Sequence, residues 1–167
     1  MESPPPLSPD SEAIRKRYLN HEASVQAIGS LYLLGSVFSV GIGVARLLGF
    51  GDPAGTMLLS AFLIAFGAAE GWIGWYLRKL DPRSKIAAIM LAAIGLFAFP
   101  IGTIINAYVL YLLVSVKGKY VFSPEYRAVI TATPHIRYKM SFVVWGFIWL
   151  VIALLLLGVI AAMYAKY

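Results

Sequence analysis

Glu70 is the only acidic side chain in the otherwise uncharged run from Pro53 to Leu77. A charged carboxylate in hydrocarbon is very costly, whereas the neutral acid with one hydrogen-bond partner costs far less. Two kinds of chemistry fit such a group. It takes up a proton or holds a cation, or it stays hydrogen-bonded and fixes the packing of helices; the second is the expected role. If the runs on either side of Gly51 are antiparallel helices, counting outward from that turn puts Tyr32 at the depth of Glu70, so the two form the candidate polar site. Arg46 lies near the far end of the first run, where it reaches an interface or meets Asp52. Asn106 follows Pro100 and Gly102 closely enough to satisfy backbone groups that such a break frees.

Other chemistries lack their residues. With no cysteine, the chain has no disulfide, thiolate metal site or thiol nucleophile. His21 and His135 lie outside the apolar runs and show no metal-ligand spacing. A Gly-x-Ser-x-Gly turn, a phosphate loop and paired carboxylates are all missing. The expectation is a non-enzyme with no cofactor and no metal.

The elements that must position these residues are membrane helices. The chain is 60% hydrophobic and 13% charged, against about 25% charged in an average soluble domain. A water-soluble fold is not expected on that ground. Spans are expected at about 23–50, 53–77 and 140–165, each long enough to cross a hydrocarbon core. The cluster Arg15-Lys16-Arg17 precedes a span of full length with no small-residue cleavage site, so the first span reads as retained and not as a signal peptide. The net charge of +6 is explained by basic residues flanking spans, where they set orientation. Nucleic acid is therefore not an expected partner; membrane lipids are.

Topology turns on the segment Ile86–Val116, which runs for 31 residues without a charge and is broken near its centre by Phe99-Pro100-Ile101-Gly102-Thr103. One crossing splits the basic residues eight against six between the two sides; a hairpin splits them twelve against two. The positive-inside rule selects the hairpin. Pro100 lacks an N–H and Gly102 is free to take conformations other residues avoid, which suits an apex. The arms, within 84–118, are at the short end of the spanning range, so a full two-arm crossing and a re-entrant loop both fit.

The basic stretch, the short arm, Phe-Pro-Ile-Gly-Thr at 99–103 and the second arm Ile104-Ile105-Asn106-Ala107-Tyr108-Val109-Leu110-Tyr111-Leu112-Leu113 resemble a pattern in small uncharacterised bacterial integral-membrane proteins with an F-P-x-G-T hairpin. The resemblance covers about 35 of 167 residues and concerns architecture. It implies a bacterial membrane and no particular activity. Some relatives of that kind carry a zinc ribbon before the first span, which a chain without cysteine cannot have.

Taken together, the fold class is all-α: a polytopic membrane protein with three full spans and a central Pro/Gly-broken hairpin of two short arms. Residues 1–22 read as a Pro-rich tail and cytoplasmic helix start, and 23–167 as one transmembrane domain. Gly35, Ser39 and Gly43 on the first span and Gly67, Gly71 and Gly74 on the second form small-residue stripes that let two helices pack closely. Trp72, Trp75 and Tyr76 mark an aromatic belt beside Arg78-Lys79. In the segment 119–139, Ser123-Pro124-Glu125 starts a short helix with Tyr126, Val129 and Ile130 on one face, expected to lie on the cytoplasmic membrane surface. The last span, with Trp145, Trp149 and the run Leu154–Leu157, is the greasiest. The N-terminus is expected in the cytoplasm of a bacterium and the C-terminus on the opposite side.

The expected function is a non-enzymatic accessory or scaffold subunit of a larger membrane assembly, partnered by other integral membrane subunits. The alternative is a small transporter or channel component that uses Glu70 as a proton or cation site.

Overall fold

Two antiparallel helices, α1 (Pro9–Leu47) and α2 (Thr56–Arg78), carry the architecture of the computed structural model, which describes residues 9–49, 56–97 and 99–138. Both are long and apolar enough to cross a membrane. The chain divides into two units, Met1–Ile136 and Arg137–Tyr167, and the first holds every described helix. Four shorter helices follow: α3 (Pro82–Gly95), α4 (Ile101–Val114), α5 (Val116–Val121) and α6 (Pro124–Ala132). All regular structure among the described residues is helical. The expected span at 140–165, the tail at 1–8 and the Gly51–Gly55 turn lie outside the described residues.

Small residues set how α1 meets α2. A Cβ on Gly74 would lie 2.5 Å from the Gly29 carbonyl oxygen and 2.8 Å from the Leu33 nitrogen. On Gly67 it would meet Val40 and Ser39, on Gly71 Ser36, and on Gly43 Ile64 and the Ser60 carbonyl. The two stripes therefore face each other, and Gly29, which the sequence pattern did not single out, extends the α1 stripe by two turns. Gly74→Ala is expected to destabilise the chain by about 1–3 kcal/mol, because the obstructing atoms are backbone and cannot rotate away. Gly41→Ala, at a position where a Cβ meets nothing within 4 Å, should change stability by less than about 1 kcal/mol. Denaturant titrations of the two variants in one detergent make the comparison.

The α2–α3 turn is closed by backbone bonds from Leu80 N to Leu77 O and from Asp81 N to Tyr76 O, the pattern that ends many helices with a left-handed residue. That residue is Leu80, at φ 57°, where glycine is usual. Its side chain is buried, which offsets the strained backbone. Asp81 then caps α3 by accepting from Arg83 N at 2.8 Å, with Pro82 in the first turn. The first arm consequently begins at 82, two residues ahead of the expected boundary.

α3 and α4 pack as a short hairpin of 14 residues each. Gly102 is helical, and the positive φ values among the described residues fall at Gly49 and Leu80, so conformational freedom at 102 is not what shapes the apex. Thr103 and Asn106 hold it instead: the Thr103 hydroxyl donates to Leu96 O at 2.6 Å, and Asn106 Nδ2 donates to Gly102 O at 2.8 Å. Gly95 must be small, since a Cβ there would strike the Asn106 amide. The second arm ends at Val114, short of the expected 118, because Ser115 turns extended and caps α5 by accepting from Gly118 N.

The core gathers at one end of the α1–α2 pair. Val25, Ile28, Ile73, Leu77, Ala88, Leu112, Leu113, Val121, Phe122 and Tyr126 bury together there. Tyr126, Val129 and Ile130 of α6 share a face as the pattern predicts, but that face packs into this protein core and so is not free to rest on a lipid surface.

Candidate functional site

The expected polar site centres on Glu70 in α2. Its Oε2 accepts from the Ser39 hydroxyl at 3.1 Å, and its carboxyl lies against the open space above Gly35. Glu70 thus turns toward α1. Gly74 is the residue that meets Gly29 and Leu33, which sets Tyr32 about one helical turn from Glu70 along the pair. Among the described residues the buried Tyr32 hydroxyl has no hydrogen-bond partner. Arg46 is partly buried, its Nε without a partner among the described residues, and Asp52, one of its two expected destinations, lies outside them. Pro100, Gly102 and Asn106 sit together at the hairpin apex, away from this pair in the chain and engaged with their own backbone.

A second polar cluster is more deeply buried and was not foreseen. Arg15 is 6% exposed, Glu22 5% and Tyr126 fully buried. Arg15 and Glu22 lie on one face of α1, seven residues apart, and pair through both guanidinium Nη atoms, one bond measuring 3.0 Å. The Tyr126 hydroxyl donates to Glu22 Oε2 at 2.7 Å, and Gln26 Nε2 donates to Oε1 at 3.2 Å. Arg15 also stands 5.6 Å from the centre of the Tyr126 ring, within the range of a cation–π contact. Tyr18, Tyr120 and Tyr126 wall the cluster, with ring centres 4.7 to 5.9 Å apart.

The Glu22 carboxylate receives donors from Arg15, Tyr126 and Gln26, and a carboxylate offers about four lone-pair positions. It is saturated. A group in that state holds elements together and has nothing left for a substrate proton or a metal ion. Burial pushes the Tyr126 hydroxyl well above its ordinary pKa, and its hydrogen bond to Glu22 adds to the effect. Around the clamp, His21 Nε2 donates to Leu112 O at 3.0 Å and Arg127 Nη2 to Leu80 O at 3.3 Å. On the surface, His135 Nε2 meets Glu12 Oε1 at 3.2 Å. Both histidines therefore tie distant segments to α1 or α4. Among the described residues no group of three or more acidic or histidine side chains is placed to hold a metal.

Comparison with known proteins decides nothing further. No protein-family model, curated protein or solved structure matches the chain. The geometry alone must carry the functional reading.

The clamp leaves only a partial trace in the sequence. Arg15 and Glu22, seven residues apart, share a helix face, a pattern that serves equally for a solvated surface. Nothing in the local pattern couples them to Tyr126, which is 104 residues from Glu22. Of the residues read as an aromatic belt, Trp72 and Trp75 are exposed near the end of α2, and Lys79 Nζ stands 4.9 Å from the Trp75 ring centre.

Proposed function

We propose that the chain is a non-enzymatic accessory or scaffold subunit of a larger assembly in a bacterial cytoplasmic membrane. The observation that carries this reading is the disposition of polar groups: the most buried charges are spent on internal clamps, while the outer surface is apolar. Val37 is 69% exposed, Leu58 83% and Ile104 71%. An apolar surface of that extent requires lipid or partner helices to cover it.

The proposed topology has α1 and α2 as full spans, a third span at 140–165, and α3–α4 as a hairpin. At about 1.5 Å per residue the 14-residue arms are each about 21 Å long, short of a hydrocarbon core of about 30 Å. The re-entrant form of the hairpin is therefore favoured. Lipids and neighbouring integral subunits are the partners. Gentle detergent extraction of the native protein with mass spectrometry of whatever co-purifies tests the assignment; a lone species that stays partnerless at several detergent strengths would count against it.

The transporter reading keeps one specific support, the unpartnered Tyr32 hydroxyl near a Glu70 that is only partly buried. Under the scaffold reading, Glu70→Gln keeps the Ser39 hydrogen bond and should change stability by less than about 1 kcal/mol. Glu70→Leu strands the Ser39 hydroxyl and should lower stability by about 1–3 kcal/mol. Thermal unfolding in detergent reads both, and cation and proton flux into vesicles is measured on the same proteins. A Glu70→Gln variant that unfolds normally but abolishes a flux would replace the scaffold with the transporter.

A further inference from the structure

A cleft of about 280 Å3 lies between the end of α2 and α1, lined by Gln26, Trp75, Arg78 and Lys79. Its lining is chemically one-sided. It offers a guanidinium, an ammonium, an amide and an indole N–H, with no carboxylate among them. Arg78 and Lys79 are both exposed, and neither joins an ion pair among the described residues.

The two cations are also held in place. A Cβ on Gly29 would lie 2.7 Å from Arg78 Cγ, so the missing side chain at 29 is what lets the Arg78 stem lie against α1. Lys79 Nζ stands 4.9 Å from the Trp75 ring centre and 5.7 Å from that of Tyr76, which holds the ammonium over those rings. Gln26 is anchored from behind by its bond to Glu22. Two like charges that line one cleft, with no ion-pair partner among the described residues, favour an anion there. The volume is that of several waters, each taking about 30 Å3, which suits a tetrahedral anion carrying a substituent.

We propose that this cleft binds a phosphate group, presented as the headgroup of an anionic membrane lipid. The proposal rests on the membrane reading above, in which the end of α2 lies where hydrocarbon gives way to headgroups and where Trp and basic residues gather. Arginine suits the task because its fork matches two phosphate oxygens.

The full chain is reconstituted in phosphatidylcholine nanodiscs with and without phosphatidylglycerol, and native mass spectrometry measures the lipid retained on release. The wild type is expected to retain phosphatidylglycerol over phosphatidylcholine. Arg78→Gln/Lys79→Gln is expected to lose that preference roughly tenfold, the scale of one charge-assisted hydrogen bond. Arg83→Gln/Lys117→Gln removes the same charge from exposed positions outside the cleft lining and should keep it. Equal loss in both pairs would mean a diffuse field and would overturn the site. Lys79→Gln alone leaves the Arg78 stem packed, so its expected partial loss is read even if the double variant fails to fold. An unchanged preference in it would overturn the site.

A parallel arm adds inorganic phosphate. Displacement of the lipid by millimolar phosphate would identify a soluble phosphate as the source and overturn the headgroup assignment; no displacement supports the headgroup. The membrane reading is checked separately by alkaline carbonate extraction. A chain stripped from membranes by carbonate fails that reading, whereas an embedded chain with no headgroup preference fails only this proposal.

Discussion

Arg15→Met is expected to destabilise the chain by about 3–5 kcal/mol, the usual scale for breaking a buried ion pair from one side. The substitution keeps much of the side-chain volume but leaves the Glu22 carboxylate, 5% exposed, with only the neutral donors Tyr126 and Gln26. Glu22→Leu should be at least as damaging. It leaves a guanidinium that is 6% exposed without a counter-ion, on a side chain whose Nε is already unpartnered. The double variant Arg15→Met/Glu22→Leu should be milder than either single one, since an apolar pair of similar volume leaves no bare charge. Thermal unfolding of the three variants in one detergent reads the cycle. Losses that simply add would mean that the two side chains do not depend on each other, against the geometry of the pair.

The same clamp carries a pH dependence with a definite sign. The Tyr126 hydroxyl has a raised pKa in the folded state, by burial first and by its bond to Glu22 second. A raised pKa means that the folded state binds the phenolic proton more tightly than the unfolded chain does. The contribution is present in full below the ordinary tyrosine value of about 10 and is lost as the pH rises through the higher folded-state value. Alkaline destabilisation steeper in the wild type than in Tyr126→Phe is the expected observation. The Phe variant should itself lose about 1.5–3 kcal/mol at neutral pH, the range for a hydrogen bond to a charged group.

Much of the frame was legible because long apolar helices announce themselves through length and small residues. The stripes at Gly35, Ser39, Gly43, Gly67, Gly71 and Gly74 predict close packing of α1 on α2, and the helices meet through those residues. Ser123 and Pro124 predict the start of α6, and the Ser123 hydroxyl does accept from Tyr126 N at 3.2 Å. What the residues could not disclose is the contact of α6 with α1. An apolar face at 126, 129 and 130 serves equally for a lipid surface or a protein core, and only the fold chooses between them. Likewise the Arg15–Glu22 pair reads locally as a solvated helix surface until α6 covers it. The turn at Leu80 was hidden for another reason, since a left-handed helix end is ordinarily signalled by glycine and here the residue is a leucine held by burial. Asp81-Pro82, by contrast, carries a cap signal for α3 that the boundary expected at 84 did not use.

Membrane-impermeant maleimide is expected to label Lys16→Cys and Ala128→Cys from one side of the membrane and Leu48→Cys from the other, in an all-or-none manner. All three positions are exposed, and the chain has no cysteine to interfere. Ala128 is the better probe of the α6 region than Ser123, whose hydroxyl caps the helix. The hairpin splits the basic residues twelve against two, and the Tyr126 hydroxyl lies 2.7 Å from Glu22, near the start of α1. Were the segment from 86 to 116 to cross once, α6 would sit a membrane thickness from residues 15–22, about 30 Å, and neither that bond nor the Arg15 contact could form. The labelling is run on intact cells and on inverted vesicles, with a permeant maleimide as the positive control. Ala128→Cys reacting together with Leu48→Cys would sink the hairpin. It would also separate Tyr126 from Glu22 in the native membrane, so the Arg15→Met loss would need another cause.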